Sequence, residues 1–450
     1  MRKYQFFIAL LIILSIQTNA ERIYTDEEKE VFMKLWSTGK SIALIASDDK
    51  MNAEVKALLS LEVTDEIDSN AYIYLVGIAE DTAQPYESGL SFYQNILKDS
   101  SSVFINDEYK PRPKELKIPE FELTCEADFE SCFKKGLDKQ SSEVTNINRQ
   151  YLDIYLQLLK YKYYQQVPES ETDNTSMQLR YVIFLQRFFH QQVVLQSAKN
   201  NSQLLSHVLD EHHVLRQWLV SSDKLITKLM IFQLFNKNID LLSFLFQKKI
   251  MGSAVVNKNV EGFTKEELAY TSTLLKEKSQ NYRNLMKYNN SLVSVENNPG
   301  TQWAQSLMVK GLSKPNISLN NDFIHIVKPL LALDKLDAQA FKNKHSHIEF
   351  KVPEDKIRNM ANGLHQLFFD SYPNSYIKLK SVLFELNLKI HLLTALSKLG
   401  NAEKVIYQSK QGHTAYQNQY DLSDPFIKDN HICYTGITER KQSLSCLKIY

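Results

Sequence analysis

Residues 169–251 read ESETDNTSMQLRYVIFLQRFFHQQVVLQSAKNNSQLLSHVLDEHHVLRQWLVSSDKLITKLMIFQLFNKNIDLLSFLFQKKIM and contain neither glycine nor proline. A stretch free of both helix breakers reads as helix, yet it is too long for one unbroken globular helix. Polar turns must divide it. Asn200-Asn201-Ser202, Ser221-Ser222-Asp223 and Asn236-Lys237-Asn238 supply turn chemistry and N-cap residues. Between the first two, Leu204, Leu205, Val208, Leu215 and Leu219 follow helical spacing, whereas Tyr181 to Phe189 is apolar almost all round. The first pattern is amphipathic; the second belongs to a central, buried helix.

The same texture extends outward. The 450 residues include only 12 glycines and 11 prolines, against usual shares of roughly 7% and 5%, so tight turns and short strands cannot be numerous. The expected fold is mainly α, an irregular multi-helix domain of antiparallel helices. Met51 to Glu62 and Leu90 to Leu97 read as helices, and Asn70 to Gly77 as a short apolar segment compatible with strand or buried helix. Thr25-Asp26-Glu27-Glu28 and Thr264-Lys265-Glu266-Glu267 are capping boxes, the second opening a helix to about Tyr288. Two long helices follow at Glu354 to Phe369 and Tyr376 to Leu399, with Gly400 placed as a C-cap. Ile432 to Ile437 and Leu444 to Ile449 form a small C-terminal β-hairpin about Glu439-Arg440.

The N-terminus supplies an address. Arg2 and Lys3 precede an apolar run from Phe6 to Ile16, and Thr18-Asn19-Ala20 leads into Glu21, the three parts of a cleavable secretory signal. The run is well short of the ~20 residues a spanning helix needs, so no transmembrane segment is expected in the mature chain. The domain plan is a signal at 1–20, a small helical lobe at 21–99, a connection at 100–120, a main helical domain at 121–430 and a tail at 431–450. Pro111, Pro113 and Pro119 with Ser100-Ser101-Ser102 mark the connection. The sequons at Asn174, Asn200, Asn289 and Asn316 are no more than chance supplies.

An exported chain should oxidise its four cysteines. The expected pairs are Cys125 with Cys132 and Cys433 with Cys446. On a straight helix the first two would stand ~10 Å apart, so that bond needs an intervening turn. A hairpin centred between Glu439 and Arg440 sets Cys433 opposite Cys446.

Lys and Arg total 53 against 52 for Asp and Glu, which leaves no field to hold a phosphate backbone and argues against nucleic acid. No two glycines are two residues apart, which excludes G-x-G-x-x-G, and neither the phosphate-binding G-x-x-x-x-G-K-[ST] loop, G-x-S-x-G nor H-E-x-x-H is present. Ser-x-x-Lys at Ser37/Lys40 recurs at Ser131/Lys134 and Ser221/Lys224 without its companion motifs. Two clusters carry the right chemistry for a divalent metal. In an extended segment His345, His347 and Glu349 share one face, and His207 and Glu211 stand four apart on a helix. Solvated faces explain both more simply. His212 follows the apolar row and reads as a boundary histidine with a partner. Tyr151, Tyr155, Tyr161, Tyr163 and Tyr164 concentrate on one predicted helix, where core packing with hydroxyls at the rim accounts for them.

The resulting expectation is an exported protein, periplasmic or secreted, with no cofactor and no tightly held metal. It acts through binding, as a non-catalytic interaction or scaffold protein of the cell envelope whose partner is a protein or envelope component. The alternative is an exported hydrolase with an unfamiliar, metal-dependent site at one of the two clusters. If the signal reading holds, N-terminal sequencing of the exported protein begins at Glu21; an intact Met1 in a membrane pellet defeats it.

Overall fold

The computed structural model describes residues 50–61, 68–80, 83–99, 128–137, 146–165, 174–294, 315–344, 350, 373–437 and 445–450. The signal, the Thr25 capping box, the 100–120 connection, the helix expected at 354–369, the triad His345, His347 and Glu349, and Cys125 lie outside them. The described residues are mainly helical, with a three-stranded antiparallel sheet near the C-terminus.

Among the described residues the first helices are α1 (Ala53–Leu59), α2 (Ala71–Glu80) and α3 (Pro85–Asp99). The ambiguous Asn70 to Gly77 segment is therefore helix from Ala71 on, apolar on every side and buried, with Asn70 just before it. Tyr72, Leu75 and Val76 of α2 join the same core cluster as side chains of the later helices Asn174–Ala198, Leu205–Ser221, Leu225–Gln247 and Pro373–Leu399. Glycine decides how α2 and α3 meet. A Cβ on Gly77 would stand 1.4 Å from the Pro85 carbonyl oxygen, and one on Gly89 2.0 Å from that of Ile73. Only bare backbone permits this approach.

Next come α4 (Phe129–Leu137), α5 (Asn146–Leu158), α6 (Asn174–Ala198), α7 (Leu205–Ser221) and α8 (Leu225–Gln247). The breaks expected at Asn200 to Ser202 and Ser221 to Asp223 are present, with Asn200 in the left-handed region at φ 58°. The break expected at Asn236-Lys237-Asn238 is absent, because those side chains have tertiary partners: Asn236 accepts from Lys389 and Asn238 lies fully buried against α7. A polar residue inside a helix need not turn the chain when a neighbouring helix satisfies it. Among the described residues α8 is the one helix long and apolar enough to cross a membrane; 67% of its most apolar window is buried inside the protein, the pattern of a central core helix.

The tyrosine-rich stretch also divides. Only Tyr151 and Tyr155 are on α5, while Tyr161, Tyr163 and Tyr164 follow it in an extended segment bridged in parallel to Asn70. Tyr155 and Tyr164 are buried, as core packing requires.

Beyond α9 (Ser253–Asn259), the second capping box forms as read: Thr264 accepts from the Glu267 amide and Glu267 from that of Thr264. The helix it opens is α10 (Lys265–Leu268), after which the chain breaks and restarts as α11 (Thr271–Ser294), rather than running on to Tyr288 as one rod. Asp334 causes the restart. Its Oδ2 accepts from the amides of Tyr270 and Thr271 at 3.0 and 2.8 Å and from the Thr271 hydroxyl, an N-terminal cap supplied from elsewhere in the chain. α12 (Pro315–Asp322) passes through a π-turn into α13 (Lys328–Asp334), followed by α14 (Ala338–Lys344).

The long helix expected at Tyr376 to Leu399 is α15 (Pro373–Leu399), closed by Gly400 at φ 90°. It packs against α8 and is buried almost all round. After α16 (Ala402–Lys410) come β1 (Phe426–Lys428), β2 (His431–Cys433) and β3 (Cys446–Lys448). The β2/β3 pairing sets Cys433 opposite Cys446, the expected register, with Cα atoms 4.1 Å apart at disulfide distance. Strand β1 was not expected. It reaches β2 through Asp429-Asn430, both at positive φ, a two-residue hairpin loop suited to the twist of the strands. Cys132 is buried and disulfide-bonded.

The α2/α3 contact yields a test. Gly89→Ala should lower the unfolding free energy by about 2 kcal/mol or more through overpacking, read by denaturant titration. Gly252→Ala, where no atom lies within 4 Å of the added carbon, is the control.

Candidate functional site

Four helices converge on one carboxylate. Glu211 points from α7 into the core and is fully buried, as are Tyr155 of α5 and Asn238 of α8. Tyr155 donates its hydroxyl to Glu211 Oε1 at 2.6 Å, and Gln186 of α6 donates its amide to the same oxygen at 2.7 Å. One turn along α6, His190 Nε2 lies 2.8 Å from Oε2, to which Asn238 donates at 2.8 Å. Gln186 and Asn238 also reach the backbone carbonyls of Leu234 and Val208. Both carboxylate oxygens are thus saturated.

The electrostatics follow from these contacts. Burial alone would push the Glu211 carboxyl up, but the electrostatic attraction of the adjacent His190 and the hydrogen bonds from His190, Tyr155 and Gln186 outweigh it and hold the carboxyl below its ordinary value. The Tyr155 hydroxyl moves well up, first by burial and then by the adjacent Glu211 charge, and remains a donor.

The neighbouring His212 extends the network and shows its tautomer. Asn238 spends its amide on Glu211 and Val208, so its Oδ1 faces His212 Nδ1 at 3.0 Å and must accept. The proton is therefore on Nδ1. Nε2 is buried without a partner, and burial drives the imidazole down to about 4 despite the Asn238 hydrogen bond.

Opposite this inner face, α7 presents His207, Asp210 and His213 to an open groove of about 620 Å³ shared with Asp153 and Gln157 of α5. His207 Nδ1 stands 3.1 Å from Asp210 Oδ2. The pair noted in the sequence, His207 with Glu211, is not brought together: Glu211 turns to the core and His207 to the groove. Among the described residues no group of three or more His, Cys, Asp or Glu side chains is placed to hold a metal ion. His212 is fully buried rather than at the boundary.

The Glu211 partners Tyr155, Gln186, His190 and Asn238 were not legible as a set. Their signal was Gln186 and His190 four apart in and beside the mostly apolar Tyr181 to Phe189 stretch, where a polar side chain needs a partner. Similar inward pairs recur at Lys380 with Asp334, Lys278 with Asp322, and Lys389 with Asp240. The chain matches no protein-family model, no curated protein and no solved structure.

The lowered His212 has a measurable sign. As pH falls below the ordinary 6.5, the unfolded chain takes up a proton that the folded state refuses until about 4, so stability is lost across that window. From pH 7 to 4 the wild type should lose about 3 kcal/mol more than His212→Gln, which still donates but does not titrate. Urea unfolding at the two pH values reads the difference.

Proposed function

We propose that the protein is an exported, non-catalytic binding or scaffold protein of the cell envelope, whose partner is a protein or envelope component. The observation that carries this reading is the saturation of Glu211. The most deeply buried carboxylate among the sequence-nominated residues takes donors from three other helices on both oxygens, which makes it a framework member. A carboxylate so engaged stiffens the helices that frame the outer groove, and a pre-formed groove loses little entropy when it binds. The signal-like N-terminus and the Cys433/Cys446 pair at disulfide distance favour an oxidising compartment.

A second reading draws on a different contact. The His207/Asp210 pair opens onto the groove, and a carboxylate that orients an imidazole is the arrangement of a general base. On that reading the protein is an exported hydrolase, with His207 as base and Asp210 as its positioning residue.

Proximity labelling of the native protein in its own compartment separates the two. A restricted set of neighbours, unchanged in His207→Ala, supports binding. Labelling no different from that of an inert exported control, together with hydrolysis of a model ester or peptide that His207→Ala abolishes, replaces it with the hydrolase.

A further inference from the structure

A second groove, of about 560 Å³, lies between the extended 162–165 segment, the C-terminal half of α7, α10 and α11. Its frame is held by backbone. Tyr163 exchanges hydrogen bonds with Ser69 and Ala71, and the Gln165 carbonyl and amide are both bonded to the Asn70 side chain. From the other side, Ser221 accepts from the Tyr164 amide. Arg216 grips Glu267 through two nitrogens and also donates to the carbonyls of Glu261 and Gly262, so its charge is neutralised in place.

What remains is an imbalance. Lys162 and Lys276 line the groove, their ammonium groups make no hydrogen bond or ion pair among the described residues, and Lys276 is half-buried. Glu266, at the exposed rim, is the one carboxylate in the lining not already committed to a cation. Two uncommitted ammonium groups therefore share the lining with one uncommitted carboxylate. A partly desolvated ammonium is stabilised by an opposite charge within reach. Val220, 41% exposed, adds an apolar strip beside them.

We infer that this groove binds a small oxyanion, a phosphate or carboxylate group, between Lys162 and Lys276, with Glu266 as a competing charge that weakens the site. The inference does not rest on the binding reading above, because it concerns a different groove and different residues. Lysine suits the task as a point charge with rotatable donors, able to meet either oxyanion without a fixed fork geometry.

The test is isothermal titration of the full exported chain at low ionic strength with inorganic phosphate and, separately, with butyrate, against sodium chloride at matched ionic strength. Saturable binding of one or both anions is expected. Phosphate alone assigns the site to phosphate groups, butyrate alone to organic carboxylates, and both to either source. Lys276→Met should weaken binding at least tenfold and Lys162→Met several-fold, while Glu266→Gln should strengthen it. Lys162 and Glu266 are exposed, so those two variants carry the test if Lys276→Met does not fold. No saturable binding of either anion by the wild type overturns the proposal. So does binding that these substitutions leave unchanged, or that Glu266→Gln fails to strengthen.

Discussion

A carboxylate withdrawn from water costs several kcal/mol unless its oxygens are met by donors, and Glu211 is met on both. That requirement couples four helices. Tyr155 must come from α5, Gln186 and His190 from successive turns of α6, and Asn238 from the middle of α8. Burial of apolar surface draws these helices together without sharply choosing their rotation, because neither α6 nor α8 has a strongly one-sided apolar face. The polar contacts choose. A rotation that hid Asn238 from α7 would leave Glu211, His212 and the Val208 carbonyl each short of a partner.

The same device recurs along α15, which is also buried on nearly every side. Lys380 donates to Asp334 Oδ1 at 2.9 Å and to the carbonyls of Leu268 and Asp334, while the other oxygen of Asp334 caps α11. One buried ion pair thereby fixes the end of α13, the start of α11 and the rotation of α15. Farther along, Lys389 reaches Asp240 and Asn236 of α8. Lys228 of α8 is buried with its ammonium on the Ala269 carbonyl, and burial lowers it to about 8. The interior is charged as well as apolar, and its charges act as registration marks.

The C-terminal residues close the ends of this frame. Gln247, the last residue of α8, donates to the Lys448 carbonyl and accepts from the Tyr450 amide, and the Tyr450 ring packs edge-on against Phe244. Lys448 then pairs with Asp128 just before α4. The cross-strand pair Cys433/Cys446 holds the sheet that carries these contacts. Two strands of three residues would be marginal alone; here they are anchored on α8 and α15.

The mainly helical fold was legible in the sequence because it rests on local properties. Glycine and proline are scarce, apolar residues recur at helical spacing, Thr264 and Glu267 are three apart, and Gly400 stands where a left-handed cap is needed. The Cys433/Cys446 register was legible for a similar reason, since a hairpin makes pairing a matter of counting residues. Everything that depended on a distant partner was not. Asn236 and Asn238 have turn chemistry, but Lys389 and Glu211 keep them in a helix. Thr264 to Tyr288 has the propensity for one rod, but Asp334 divides it. His207 and Glu211 have the spacing of a pair, yet burial sends one to the core and the other to solvent. A polar side chain's role depends on which donor or acceptor it meets, and for these residues that partner lies far along the chain, where only packing in three dimensions brings it into reach.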